Sequence, residues 1–588
     1  MTARGTLEGV GAAPGRALGR IHRLDFDVPA VAHRTIAPDE VDAELARFDA
    51  ARAASRKRLE SLASDTATRL GQFEGRMFEA QAWMIDDPMI VDGTVAYIRE
   101  NFLSAERAFE LQMLENRVRM VDSGQAMVLD RLADLQDVRT RVLAALLGLD
   151  EPELPETAGD PLILVGRDLP PSLAARLDTD QVVGFVTAYG SRGAHSVVIA
   201  RSLGIAAVVG IGRALEGLEQ GTMLLMDGRT GRLITNPSDA DMESFRQSRV
   251  RIEERRVELE ETAGSPTVTT DGVELSLQAN VDRPDEVLLA ERLGADGIGL
   301  FRSEFLVIGH REIPSEEEQY EAYRAALEAL PDRVVTLRTF DIGGDKFPLF
   351  LDMPREDNPY LGWRAIRVCL DLPDLFMNQL RGAIRAAPYG NLRLLLPFIT
   401  SIDEITRTRV LLSEVYDSLG ADGPESPVPL GIMIETPAAL ELIDRIAPLV
   451  DFVSLGTNDL TQYVLAADRG NAKLAGIFDA LHPALVAMYR RLAAACMEHE
   501  LDLSVCGELA GEPAGLALLV GLGYRSFSMS LAALGEQREL ARSVSAADLA
   551  KFVDGREWDD AASCRAALTT YLAEHGVRFG DGPRLSEN

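Results

Sequence analysis

Leu430-Gly431-Ile432-Met433-Ile434-Glu435 is an apolar run that stops on a carboxylate, and Phe452-Val453-Ser454-Leu455-Gly456-Thr457-Asn458-Asp459 does the same a little further on. Short continuous apolar runs bounded by turn residues read as strands buried on both faces, the pattern of a parallel sheet. Working outward, eight strand candidates alternate with helix-like stretches: 275–280, 297–301, 334–340, 392–398, 430–435, 452–456, 503–506 and 526–529. Residues 265–580 are long enough for one (β/α)₈ barrel, whose usual size is about 250 residues. Several strands end in a reactive side chain: Arg302 just past the second, Arg338 in the third, then Glu435, Asn458-Asp459 and Cys506. Such folds carry their chemistry at that end.

Taken singly, each residue has a plainer reading. A lone arginine at a strand end is often a surface ion pair, and a lone cysteine is often core. Together they point to a site. Arg302, Arg338, Arg364 and Arg469 suit bidentate capture of phosphate or carboxylate. Glu435 and Asp459 end successive strands, and two carboxylates with water and substrate oxygens make an ordinary Mg²⁺ site. Cys506 beside Gly507-Glu508 can serve as general acid or nucleophile.

Upstream the texture differs. Residues 31–149 are charged, Ala-rich and nearly free of strand patterns; Val41, Leu45 and Phe48 stand at helical spacing, and Pro38-Asp39-Glu40 supplies an acidic first turn. This predicts a helical bundle. Within it, the segment from Phe73 to Pro88 mixes Met and aromatic residues with acids; such residues are usually core, though the terminal acids suit a basic partner. Short apolar runs return at 162–165, 182–186, 206–209 and 223–226, and predict a compact α/β domain over 150–236. The strand-like 1–30 is assigned to the same domain, with the bundle inserted. Asn236-Pro237-Ser238 then stops the strands and caps a helix. Residues 237–264, highly charged with few large apolar residues, predict a linker helix of roughly 35 Å. A tail, 581–588, follows the barrel. The expectation is a multidomain α/β protein.

The chain has 588 residues and a formal charge of −32, with 46% hydrophobic and 26% charged residues. That is an ordinary globular composition, and its acidity argues against nucleic acid as a partner. The four cysteines (Cys369, Cys496, Cys506, Cys564) form no CxxC pair, so a disulfide scaffold or structural zinc is a poor reading. No signal-peptide core and no run of about 18 apolar residues stands out, which predicts a cytoplasmic protein without membrane insertion.

In the α/β domain, Tyr189-Gly190-Ser191-Arg192-Gly193-Ala194-His195-Ser196 is a small-residue loop entering a helix-like run. A histidine there is exposed beside unpaired amides that favour a phosphoryl group on its ring. It is largely neutral at pH 7 and therefore nucleophilic. The plainer reading is a capping or surface histidine. His22, His33, His310, His482, His499 and His575 lack such a loop and read as structural or solvated.

At this point the strings match a known family. Gly299-Leu300-Phe301-Arg302-Ser303-Glu304-Phe305-Leu306, Arg338-Thr339-Phe340-Asp341-Ile342-Gly343-Gly344-Asp345-Lys346, Asn358-Pro359-Tyr360-Leu361-Gly362-Trp363-Arg364, Glu435-Thr436-Pro437-Ala438-Ala439, Ser454 to Tyr463 and Cys506-Gly507-Glu508-Leu509-Ala510-Gly511 occur in order. In these the chain resembles enzyme I of the bacterial sugar phosphotransferase system, the phosphoenolpyruvate-protein phosphotransferases. The resemblance implies a phosphohistidine swivelling domain and a barrel that binds phosphoenolpyruvate and Mg²⁺. By it, Arg302, Arg338, Arg364, Lys346, Asn458, Asp459 and Arg469 would hold the substrate, and Glu435 and Asp459 the metal. Cys506 would protonate the departing enolate to give pyruvate. His195 would take the phosphoryl group and pass it to the histidine carrier protein HPr, docked on the helical subdomain. A homodimer through the barrel is also implied, and so is a hinge near the linker helix.

Two departures matter. The family usually has Gly-Gly-Arg-Thr-Ser-His where this chain has Gly190-Ser191-Arg192-Gly193-Ala194-His195, and Asp-Leu-Thr-Pro-Ser where it has Asp168-Leu169-Pro170-Pro171-Ser172. A hydroxyl that can orient the histidine is missing, with Ser196 or Ser191 as candidate substitutes. The alternatives are a degenerate enzyme I homologue with a regulatory role, or a phosphoenolpyruvate synthase or dikinase-like enzyme.

Overall fold

The C-terminal strands close on themselves. In the computed structural model all residues are described except 1–3, 25–30, 71, 123–131, 150–159, 191–193, 308–312, 344–350, 352–355, 421–422, 470, 472–473, 475 and 578–588. The chain divides into two compact units that part between Arg249 and Val250.

In the second unit β9 (Ser276–Val281), β10 (Gly297–Arg302), β11 (Val334–Arg338), β12 (Asn391–Leu396), β13 (Leu430–Ile434), β14 (Phe452–Leu455), β15 (Asp502–Val505) and β16 (Ser526–Met529) form a closed parallel barrel, with β16 paired back to β9. The expected strands are all there; their ends differ by a residue or two because backbone pairing, not hydropathy, decides where a strand stops. Two layers of core follow from the period of two along each strand. Val335, Leu337, Ile432, Ile434, Val453 and Leu455 join the large outer cluster under the helices. Their alternates Leu300, Leu395, Met433 and Phe452, with Cys506, form a separate inner cluster.

In the first unit, eight strands form one sheet. The N-terminal residues supply three of its strands, β1 (Gly5–Glu8), β2 (Val10–Ala13) and β3 (Arg16–Leu24), where sequence reading saw one strand-like piece. The Gly-rich turns between them hid the breaks. β4 (Leu162–Gly166), β5 (Val182–Thr187) and β6 (Ala206–Val209) continue parallel from β3, while β7 (Met223–Asp227) is antiparallel to β3 and β8 (Arg232–Thr235) is antiparallel to β7. Across the sheet the order is β1-β8-β7-β3-β4-β5-β6-β2.

Helices Val41–Leu70, Gln72–Ile85, Pro88–Asn101, Ala105–Asp122 and Leu132–Leu147 stand between β3 and β4. Asp87 caps the third of these through the Met89 amide at 2.8 Å. Phe48, Phe78, Phe109 and Val138 of the bundle share one cluster with Leu164, Phe185 and Ile199 of the α/β layer, so the two pack as one body. Met77, Phe78, Ala82 and Ile85 are buried, the core reading of that Met-rich segment.

Helix Asp239–Glu261 is capped by the Ser238 hydroxyl, which accepts from the Asp241 amide at 3.2 Å. Its first half docks more firmly than its composition suggests. Phe245 joins Leu225 and Ile234, and Arg16 donates to the Ser248 hydroxyl at 2.8 Å. One aromatic residue and a few polar contacts replace the missing apolar stripe. Among the described residues no helix is long and apolar enough to cross a membrane.

Candidate active site

Residues that alternate with the outward-facing positions of the barrel strands point inward, and at the C-terminal rim these are Arg302, Arg338 and Glu435, with Cys506 just past β15. Arg302 donates to Asp282 at 2.7 Å and remains about one-third exposed. Arg338 is buried; it donates to Glu304 at 2.8 Å and lies 3.5 Å from Asp341. Burial opposes its charge, but Glu304, Asp341 and Glu435 keep it protonated.

Helix Thr457–Leu465 follows β14 and carries Asn458 and Asp459 in its first turn. Asn458 accepts from the Glu508 amide at 3.2 Å, which ties this turn to the loop after Cys506. Asp459 accepts from Arg364 at 3.2 Å and lies 3.9 Å from Arg469. Arg364 is fully buried over the Phe398 ring, with further bonds to Asp341 at 2.9 Å and the Tyr463 hydroxyl at 3.0 Å. Its loop is seated by Gly343 at φ +106, where a Cβ would lie 2.6 Å from that of Arg364. Lys346 lies outside the described residues.

Glu435 accepts from the Phe398 amide at 2.6 Å. Burial, with Asp459 and Asp341 close by, pushes its carboxyl well above the ordinary range. Among the described residues no group of three or more His, Cys, Asp or Glu is arranged to hold a metal. Two carboxylates crowded in a buried mouth nevertheless fit Mg²⁺, which keeps several water or substrate ligands and would relieve their repulsion. Cys506 is buried near Arg338, Arg302 and Glu435, and burial pushes its thiol up to about 11. Asn280 pins this loop by donating to the Cys506 carbonyl at 3.0 Å, and itself accepts from Ser528 at 2.6 Å.

Sequence reading missed Glu304, Asp341 and Asn280. The first two stand two and three residues after Arg302 and Arg338, so a carboxylate trailing each strand-end arginine was the available signal. Nothing local marks Asn280.

In the first unit, His195 opens helix His195–Leu203 and its side chain is about one-third exposed. Ser191, Arg192 and Gly193 of its loop lie outside the described residues. The ring bonds to Asp134, not to Ser196: Nδ1 lies 2.9 and 3.0 Å from the two carboxylate oxygens. Asp134 comes from helix Leu132–Leu147, is buried, and accepts from Gln81 of helix Gln72–Ile85 at 2.9 Å. Asp137 one turn on accepts from the Ser172 hydroxyl at 2.8 Å, so that hydroxyl is spent on the bundle. Burial raises Asp168 to about 6, with Asp134 and Asp137 contributing. His482 caps a helix, His499 meets Asp444 and His575 stacks on Tyr571, in keeping with structural or surface roles.

A barrel with this mouth and, in the other unit, a helix-opening histidine make up the architecture of a phosphoenolpyruvate-utilising enzyme. The family models say the same along the chain: PEP-utilising enzyme, N-terminal, over 8–131; mobile domain over 158–231; and PEP-binding domain over 256–546. Phosphoenolpyruvate-protein phosphotransferases of Geobacillus stearothermophilus and Staphylococcus carnosus are 37% and 36% identical to it, each over 92% of this chain and 94% and 95% of their own. An NMR solution structure of an Enzyme I protein is 28% identical over 42% of this chain and 99% of its own, with a TM-score of 0.36. The chain belongs to the phosphoenolpyruvate-protein phosphotransferase family.

Proposed function

We infer that the chain transfers the phosphoryl group of phosphoenolpyruvate to its own His195 and from there to the histidine carrier protein HPr, releasing pyruvate, as the first step of sugar phosphotransferase transport. The observation that carries this is the barrel rim. Arg302, Arg338 and Arg469 converge there with Asn458, two buried carboxylates and a buried thiol. Phosphoryl transfer needs alignment and charge neutralisation more than covalent help. The arginines bind the phosphate and carboxylate oxygens, and Arg364 braces Asp459 against Asp341 beside them. Lys346 joins the substrate set by family resemblance. Glu435 and Asp459 would hold Mg²⁺, which would supply further charge neutralisation when bound.

As the P–O bond breaks, its electron pair stays on the enolate. Cys506 then gives its thiol proton to the enolate carbon; with the thiol raised to about 11 it carries that proton throughout the physiological range. The thiolate left behind faces Arg338 and Arg302. Because the acceptor belongs to the other unit, the phosphohistidine domain swivels between barrel and carrier. HPr docks on the helical bundle, two chains pair through their barrels, and the protein works in the cytoplasm.

Transfer of labelled phosphate from phosphoenolpyruvate to purified HPr, with and without Mg²⁺, tests this. The expected result is Mg²⁺-dependent labelling of the chain and then of HPr, with pyruvate released. Pyruvate release without carrier labelling would favour a regulatory homologue. Acid-labile phosphate retained by His195→Ala would remove that residue from the role.

A further inference from the structure

Resting on the reading of His195 as phosphoryl acceptor, we propose that Asp134 is its positioning residue: a buried carboxylate of the helical bundle that fixes the imidazole proton on Nδ1 and leaves Nε2 as the nucleophile. Both Asp134 oxygens lie within 3.0 Å of Nδ1, and the carboxylate side chain is only 3% exposed. An ionised carboxylate can only accept, so the nitrogen facing it must carry the hydrogen. Gln81 donates to Oδ1 at 2.9 Å and holds the carboxylate in place. Among the described residues none bonds to Nε2.

This fills the gap that the sequence leaves. Pro170 stands where a hydroxyl could orient the ring, and proline offers neither a hydroxyl nor an N–H. The neighbouring Ser172 hydroxyl is engaged by Asp137. The orienting group therefore comes from a different part of the fold, 61 residues away in sequence.

The step balances. The Nε2 lone pair forms the N–P bond as the P–O bond to the enolate breaks, with that electron pair leaving on oxygen. Nδ1 keeps its proton, so the phosphorylated ring carries a positive charge, and Asp134 lies against it. The carboxylate thus acts twice, setting the tautomer before transfer and stabilising the charged ring after it.

The test uses the full chain with isotope-labelled histidine. Nitrogen–proton correlation spectra should place the His195 proton on Nδ1 and, after phosphoenolpyruvate, the phosphate on Nε2. In Asp134→Asn, Gln81 still claims Oδ1, so the amide NH₂ turns to Nδ1 and drives the ring proton onto Nε2. Phosphorylation of His195 should then slow by about 10²- to 10⁴-fold, as when a carboxylate orienting a catalytic histidine is amidated. Asp134→Ala, which leaves the ring free to choose its tautomer, should lose less. Equal losses in the two variants, or a wild-type ring protonated on Nε2, would overturn the proposal. The wild-type spectrum decides the point even if both variants fold poorly. Failure of the underlying reading is separable, since His195→Ala would then keep its acid-labile phosphate.

Discussion

Cys506 and Glu435 show how burial sets chemistry at single residues. With its thiol raised to about 11, Cys506 is a thiolate only about one part in a thousand at pH 8. Alkylation by iodoacetamide at pH 8 should therefore be slow and should accelerate as pH rises to 10; rapid reaction at pH 7 would mean the thiol is not the reserve of a proton. Cys506→Ala should cut pyruvate formation by about 10²-fold or more, the usual worth of a positioned acid. An ionised Glu435 is costly, because burial and the neighbouring Asp459 and Asp341 oppose its charge. Glu435→Gln should melt higher than the parent in the absence of Mg²⁺. The same variant should need at least about tenfold more Mg²⁺ for activity. Calorimetry and a Mg²⁺ titration check the two halves.

Among elements, one close approach and one buried charge lie beside the sites. Gly507 follows Cys506 and passes so close to the helix Thr457–Leu465 that a Cβ would lie 2.6 Å from the Thr457 amide. Gly507→Ala should push back the turn that carries Asn458 and Asp459. A misplacement of about 1 Å costs on the order of 10²-fold in rate. kcat/KM should fall by that order while the far-UV circular dichroism stays unchanged; a loss of barrel signal instead would mean the contact is only structural. In the other unit, Asp168 follows β4 near the bundle's acidic pair, Asp134 and Asp137, whose charges oppose its ionisation. Burial raises its carboxyl from 3.8 to about 6, so the folded chain binds that proton more tightly than the unfolded one. Its contribution is fully present below pH 4 and is lost as pH rises through 6, a ceiling of about 3 kcal/mol. Asp168→Asn should raise the melting temperature of this unit at pH 7.5 and leave it unchanged at pH 4, read by calorimetry.

For the whole molecule, the proposed relay from barrel to His195 requires motion between the two units. Spin-label distances between the sheet of the first unit and the barrel should change when phosphoenolpyruvate and Mg²⁺ are added; distances that stay fixed would rule out the swivel. The amino-acid sequence alone was enough for the barrel, because parallel strands are buried on both faces and announce themselves as short apolar runs. It was also enough for Arg302, Arg338, Glu435, Asp459 and Cys506 as candidates, since each stands at or just past the end of such a run. The division of the N-terminal strand-like piece into three strands escaped it, as the glycines at the turns blur the period. What only the tertiary structure decided is who faces whom. Glu304 and Asp341 on the barrel arginines, Asn280 on the Cys506 loop and Asp134 on the His195 ring are pairings between separate segments, made where two surfaces pack, and no local pattern along a chain encodes a contact of that kind.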